Sequence, residues 1–282
     1  MVPFHIAPAN TAWRAPRAAG ARDAPTPRIP GFRLLRQVGR GRHAAAWLAW
    51  DAGADCEVVL KLQPAGDGSL MREYAVAQRL ASPHIVQVFG CGEAHGCGWL
   101  AMEHLPGGNL RRLIGQGNTA QEALVLLRQA AEAVAQLHRQ ELVHRDVKPD
   151  NLLLRATGEL VLADFGLVTP CGALDPRAQP GAVVGTPRYV APEQLQGAGA
   201  APAADVYSLG VLLHEMLCGC PPFSGETLME VLSQHLVAPP PRLPADIAPL
   251  QPLLDRMLAK EVKDRLPDAD AVLGLLGQRW VP

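Results

Sequence analysis

The stretch Val143-His144-Arg145-Asp146-Val147-Lys148-Pro149-Asp150-Asn151, followed thirteen residues after Asn151 by Asp164-Phe165-Gly166, decides how this chain is read. It holds a carboxylate at 146, an amine at 148, an amide at 151 and a second carboxylate at 164. A carboxylate can accept or orient the proton of an attacking hydroxyl, and a lysine can neutralise charge on a moving phosphoryl group. An amide oxygen and a carboxylate are hard donors of the kind that hold a divalent cation beside phosphates. Each residue alone would be an ordinary surface polar group. Their order and spacing together point to phosphoryl transfer from a nucleotide.

His-Arg-Asp, Lys two residues on, Asn three beyond it and then Asp-Phe-Gly resembles the catalytic core of the eukaryotic-like (Hanks-type) serine/threonine protein kinases, most of all their bacterial members. The resemblance runs from about Phe32 to Trp280. It implies an α+β, bilobal protein-kinase fold with a small β-rich N-lobe carrying one main helix and a larger α-helical C-lobe. The implied organisation is a flexible Ala/Pro/Arg-rich extension over 1–30 and a kinase domain over 31–282. Within that domain the N-lobe takes 31–102, the hinge 103–108 and the C-lobe 109–282.

Residue roles follow from the same resemblance. Asp146 is the expected catalytic carboxylate and Lys148 the γ-phosphate contact. Lys61, at the end of Val58-Val59-Leu60-Lys61, is expected on the α- and β-phosphates, held there by Glu73 twelve residues on. Asn151 and Asp164 are the expected metal ligands, for ATP with Mg²⁺ or with Mn²⁺ in its place. Val38, Gly39, Gly41, Ala46, Val59, Met102, Glu103, Leu105 and Leu153 are expected around the nucleotide. Met102 would guard the deeper pocket, and Glu103 and Leu105 would offer backbone groups to the adenine edge.

Two departures stand out. A third glycine would be expected at 44, where this chain has Ala44. Relatives commonly carry valine and alanine at the positions of Ala46 and Val59, so the two sizes are exchanged and the total volume is about kept.

Gly185-Thr186-Pro187-Arg188-Tyr189-Val190-Ala191-Pro192-Glu193 resembles the segment closing a kinase activation loop. The resemblance implies Thr186 beside Asp146 and Lys148, Glu193 paired with Arg265, and Asp205 bracing the backbone of His144 and Arg145. In many relatives the arginine before the catalytic carboxylate binds a loop phosphate. Here Thr169 is the only hydroxyl residue between Gly166 and Gly185, and it lies close to Asp164; Asp175 could supply fixed negative charge instead. Asp150 and Glu215 match acids that bind a substrate arginine in basophilic kinases, though relatives without that preference carry them too.

Bulk properties agree with a globular protein. Of 282 residues, 48% are hydrophobic and 19% charged, and a net charge of −1 gives no nucleic-acid footprint. No apolar run reaches the roughly 18 residues of a membrane span. The six cysteines form no Cys-x-x-Cys unit and read as reduced thiols of a cytoplasmic protein. The expected partners are protein substrates with Ser/Thr acceptors, together with a regulatory partner. A nucleotide-binding pseudokinase scaffold is the alternative; a small-molecule kinase is disfavoured by the segment 185–193.

Periodicity places short strands at 32–38, 45–50, 57–62, 85–89 and 99–102, and a helix over 70–80 with Met71, Tyr74, Ala77 and Leu80 apolar at three-residue steps. Thr119 with Glu122 fits a capping box opening a helix whose buried face is Leu124, Leu127, Ala131, Val134 and Leu137. The run 206–217 suits a buried helix, and a last helical pair is expected from 247 to about 276. Pro106-Gly107-Gly108 reads as a hinge.

Overall fold

A computed structural model describes residues 27–41, 44–66, 68–174 and 184–279. The extension as far as residue 26, Arg42 and His43 of the glycine turn, Asp175 and Trp280 lie outside the described residues. Two compact units emerge. One takes the described residues as far as Leu80 together with Val86–Leu105; the other takes Ala81–Ile85 and the described residues from Pro106. The division is therefore not a single cut in the sequence.

The smaller unit is an antiparallel sheet of β1 (Phe32–Arg40), β2 (Ala45–Asp51), β3 (Cys56–Pro64), β4 (Val88–Ala94) and β5 (Cys97–Glu103), with α1 (Ser69–Ala77) between β3 and β4. Spatial order is β1-β2-β3-β5-β4. Alternation sorts side chains to two faces. Ala49, Val58, Leu60, Leu62, Cys97 and Ala101 build an apolar cluster on one face, with Phe32, Trp47 and Trp99 packed against it. Lys61 and Val59 point the other way, where α1 lies against β4 and β5.

Of the apolar row along α1, Ala77 and Leu80 are buried, whereas Met71 is 54% exposed; Leu70 and Glu73 are buried instead. An inward carboxylate cannot be read from an apolar period. Glu73 is buried because Lys61 reaches it, and a buried charge needs a partner. The helix also ends at Ala77, short of the expected 80.

The larger unit contains α2 (Leu110–Gln116), α3 (Ala120–His138), β6 (Leu142–Val143), β7 (Leu152–Leu154), β8 (Leu160–Leu162), β9 (Thr169–Pro170), α4 (Pro192–Leu195), α5 (Pro202–Cys218), α6 (Leu228–Val237), α7 (Gln251–Met257) and α8 (Ala269–Arg279). The capping box forms at the start of α3: Thr119 Oγ1 accepts from Glu122 N–H, and Glu122 Oε2 accepts from Thr119 N–H at 2.8 Å. All five expected inward residues of α3 are buried, each large one stabilising by about 1.5–3 kcal/mol. α3 packs on α5, α8 and β8, so it forms the spine of this unit. α5 is buried from Ala203 to Met216, which is why its sequence shows no polar face.

Residues 81–85 join this unit through specific bonds. His84 Nδ1 lies 2.7 Å from the Leu160 carbonyl, and Ile85 bridges to Leu162 in parallel register. Pro106-Gly107-Gly108 is held as well: Gly107 N–H donates to Leu154 O at 3.0 Å, and Leu154 N–H to Gly108 O at 2.9 Å. A Cβ on Gly107 would meet Leu154 and Arg155 atoms at 2.7 Å, so this glycine is needed for close approach of two backbones.

Candidate functional site

In the smaller unit the ladder register carries the geometry. Gly39 pairs with Ala46, Ala46 with Lys61 and Lys61 with Leu100, giving one row across four strands. Val59 pairs with Leu48 and Met102, one step along the same face. Ala46 and Val59 are thus diagonal neighbours across β2 and β3, close enough for a volume exchange between them to be felt. Gly41 N–H donates to Ala44 O at 2.8 Å and narrows the turn joining β1 to β2. Val38 is 41% exposed. Lys61 Nζ meets both Glu73 oxygens, at 2.7 Å and 3.0 Å.

Glu103 has a structural task not foreseen from the sequence. Its Oε1 accepts from Gln87 N–H at 2.8 Å, while its own N–H donates to Gln87 O at 2.9 Å. The side chain therefore clamps the entry to β4. Leu105, two residues on, is buried.

In the larger unit Asp146 is the centre of a closed hydrogen-bond set. Oδ1 accepts from the Thr186 hydroxyl at 2.7 Å. Oδ2 accepts from Lys148 Nζ at 2.5 Å and Asn151 Nδ2 at 3.1 Å. Lys148 Nζ also donates to Thr186 Oγ1 at 2.7 Å, so three side chains from two segments converge on one carboxylate. Gly185 stands before Thr186 with φ +104°, and a Cβ there would meet the Arg145 carbonyl at 3.0 Å.

Asn151 and Asp164 are brought near each other by the short ribbon of β7 and β8. Leu152 pairs with Leu162, and Ala163 N–H donates to the Asn151 carbonyl at 2.9 Å. Both amide hydrogens of Asn151 face Asp146, where they meet its carbonyl oxygen at 2.9 Å and its carboxylate. The amide oxygen is then the atom left for a cation, and with the Asp164 carboxylate it makes a sparse, hard donor pair. Such a pair fits a divalent ion whose remaining shell is phosphate and water. Leu153 on β7 pairs with Val161 and is bridged to Asn109.

Backbone strain gathers at the same place. Arg145 and Asp164 have φ of +70° and +66°, values that residues with a Cβ rarely adopt. Asp205, fully buried in the first turn of α5, helps to hold the first of these. Its oxygens accept His144 N–H and Arg145 N–H, each at 2.7 Å, and His138 Nε2 at 3.0 Å. Burial alone would raise the Asp205 carboxyl, but the hydrogen bonds from the His138 side chain and the His144 backbone counter it, and the group is held below the ordinary carboxylate range. His138 was not singled out from the sequence. Its Nδ1 accepts Ala269 N–H at 3.1 Å, so the backbone of His144 and Arg145 is tied through Asp205 and this imidazole to the start of α8.

Arg265 and Glu193 form the expected pair in bidentate geometry, at 2.6 Å and 3.0 Å, and Arg265 also donates to the carbonyls of Ala203, Ala259 and Lys260. Asp150 and Glu215 both accept from Arg111, a residue the sequence reading passed over.

A family model described as protein kinase domain matches residues 32–276. Among curated proteins, a serine/threonine-protein kinase PknA of Corynebacterium glutamicum is 34% identical over 254 residues, covering 85% of this chain and 54% of that protein. A PknA of Mycobacterium tuberculosis is 35% identical, with 89% and 62% covered. A PknL from the same species is 36% identical, with 90% and 67% covered. The chain spans about half the length of the corynebacterial relatives it matches, 54% and 49%. No helix among the described residues is long and apolar enough to cross a membrane.

Proposed function

The chain belongs to the protein kinase family, and from that membership we propose that it transfers the γ-phosphoryl group of ATP to serine and threonine hydroxyls of protein substrates. The observation that carries this reading is the Asp146 hydrogen-bond set. A threonine hydroxyl already rests on Oδ1 with a lysine amine beside it, so the carboxylate is arranged to receive a hydroxyl of the kind to be phosphorylated.

In the proposed reaction Asp146 accepts the acceptor's O–H proton as the new oxygen–phosphorus bond forms. The bond from the γ-phosphorus to its bridging oxygen breaks, and ADP leaves. Lys148 offsets charge on the phosphoryl group in flight. Lys61, held by Glu73, takes the α- and β-phosphates. Asn151 and Asp164 are the proposed ligands of Mg²⁺, which when bound supplies neutralisation of the phosphate charge. Gly39, Gly41, Val38, Ala46 and Val59 are assigned to the nucleotide, along with Met102, Glu103, Leu105 and Leu153. The scaffold alternative has no support here: Lys61, Glu73, Asp146, Lys148, Asn151 and Asp164 are all present.

The test is incubation of the purified chain with ATP and Mg²⁺ beside Asp146→Asn and Lys61→Met, with phosphosites mapped by mass spectrometry. Incorporation by the unchanged chain alone supports the proposal. Equal or absent incorporation in all three refutes it.

A further inference from the structure

Arg111 sits where two carboxylates would otherwise await a cation. Its Nη1 donates to Glu215 Oε1 at 2.8 Å, and its Nη2 donates to Asp150 Oδ2 at 2.8 Å and to the Tyr189 hydroxyl at 3.0 Å. Tyr189 in turn donates to Glu215 Oε2. Four segments meet here: α2, the turn after Lys148, the segment after Thr186, and α5.

Glu215 is spent. Its side chain is 5% exposed, one oxygen is taken by Arg111 and the other by Tyr189. Burial and the hydrogen bond to this carboxylate raise the Tyr189 phenol well above its ordinary value, so it stays a neutral donor. Asp150 is half exposed and keeps an outward edge. The Arg111 side chain is 41% exposed and therefore lies at the mouth of the cluster, not beneath it.

The cluster also adjoins the reacting carboxylate. Asp150 immediately precedes Asn151, which bonds Asp146, and Tyr189 follows Thr186, which bonds Asp146, by three residues. A segment whose hydroxyl reaches Asp146 passes within side-chain reach of it.

We propose that Arg111 is a built-in occupant of an acidic subsite, filling the place of a substrate arginine and thereby setting the acceptor specificity of this chain. The inference rests on the phosphotransfer reading. An incoming guanidinium would have to displace an arginine already held by charge-assisted bonds to two carboxylates, and it gains little by doing so. The native chain therefore shows no requirement for arginine near the acceptor, despite carrying both acids. Removing Arg111 leaves Glu215 without its cation, and a substrate arginine becomes the group that restores the pair.

A positional-scanning peptide library tests this with the unchanged chain, Arg111→Ala, Arg111→Gln and the double variant Arg111→Ala/Glu215→Gln. Arg111→Gln keeps an amide donor toward Glu215 and guards against a folding defect in the alanine variant. The expected result is no arginine enrichment in the unchanged chain, an enrichment of about tenfold in a folded single variant, as a charge-assisted bond would give, and loss of that gain in the double variant. Arginine enrichment already present in the unchanged chain, or none gained in either folded single variant, overturns the proposal. Fluorescence anisotropy with an arginine-containing peptide and a matched alanine peptide reads the subsite without turnover. Absence of phosphate incorporation in every protein would count against phosphotransfer, while anisotropy would still decide the role of Arg111.

Discussion

Oδ1 of Asp205 accepts the backbone N–H of Arg145 at 2.7 Å, and Arg145 has φ of +70°. The carboxylate contributes to holding a strained backbone whose next residue is Asp146. Asp205→Asn keeps the shape but replaces one acceptor oxygen with a donor facing N–H groups. It is expected to lower folding stability by about 3 kcal/mol, the range for buried bonds to a charged group, and to abolish transfer with it. Urea unfolding beside an activity assay checks both.

Lys61 and Glu73 are coupled within the smaller unit, so they are expected to behave as one element. Stability measurements on Lys61→Met, Glu73→Gln and the double variant should give a coupling energy of about 1–3 kcal/mol. Each single variant should lose transfer on the order of 100-fold, as for removal of one transition-state charge contact. Additive stability effects would show that the pair is incidental.

His235 makes the fold acid-sensitive. Burial, and then the charge of Lys260, push its imidazole from 6.5 down to about 4. Tyr207 hydroxyl lies 3.0 Å from Nδ1, Lys260 donates to its backbone carbonyl, and the Phe223 ring packs at 5.0 Å. Between pH 6.5 and about 4 the unfolded chain binds a proton that the folded chain refuses. Stability therefore falls as pH drops through that window and is unaffected by this group above it. Urea midpoints at pH 7 and 5 should converge in His235→Gln, removing a loss of about 1–2 kcal/mol at pH 5.

Arg145 has a partner other than a phosphate. Its Nη1 donates to Thr169 Oγ1 at 3.2 Å, and that hydroxyl, buried, donates to Leu167 O at 3.0 Å. Thr169 is also the only hydroxyl between Gly166 and Gly185. Transfer is expected to stay within about twofold after phosphatase treatment, since Arg145 has no loop phosphate to lose. Loss of most activity, with a phosphosite mapped inside that segment, would sink this expectation.

The sequence made the architecture and the converging residues legible because their signals are local or carried by motif spacing. Thr119 with Glu122 announces a helix start, and alternation over 57–62 separates Lys61 from Leu60 and Leu62. What stayed hidden depends on partners far along the chain. The apolar period of α1 alone does not show Glu73 turned inward, which only its expected pairing with Lys61 indicated, and it does not show Met71 left outside. His138, at the end of α3, takes its role from Asp205 and Ala269, 67 and 131 positions on. Arg111 lies 104 positions from Glu215, and no spacing rule links them. α6 was missed although Thr227, whose hydroxyl accepts Glu230 N–H at 3.2 Å, gives a capping signal that could have found it.

The central claim is that Asp146 receives the proton of an acceptor hydroxyl. Its most direct measurement is the single-turnover rate of phosphate transfer to a serine/threonine peptide by the unchanged chain and by Asp146→Asn, with Mg²⁺ and ATP affinity measured by calorimetry in both. The account predicts nucleotide affinity within about threefold and a rate lowered on the order of 100-fold or more in the variant, the scale of general-base catalysis. Equal transfer rates in the two proteins, with nucleotide bound, would contradict it.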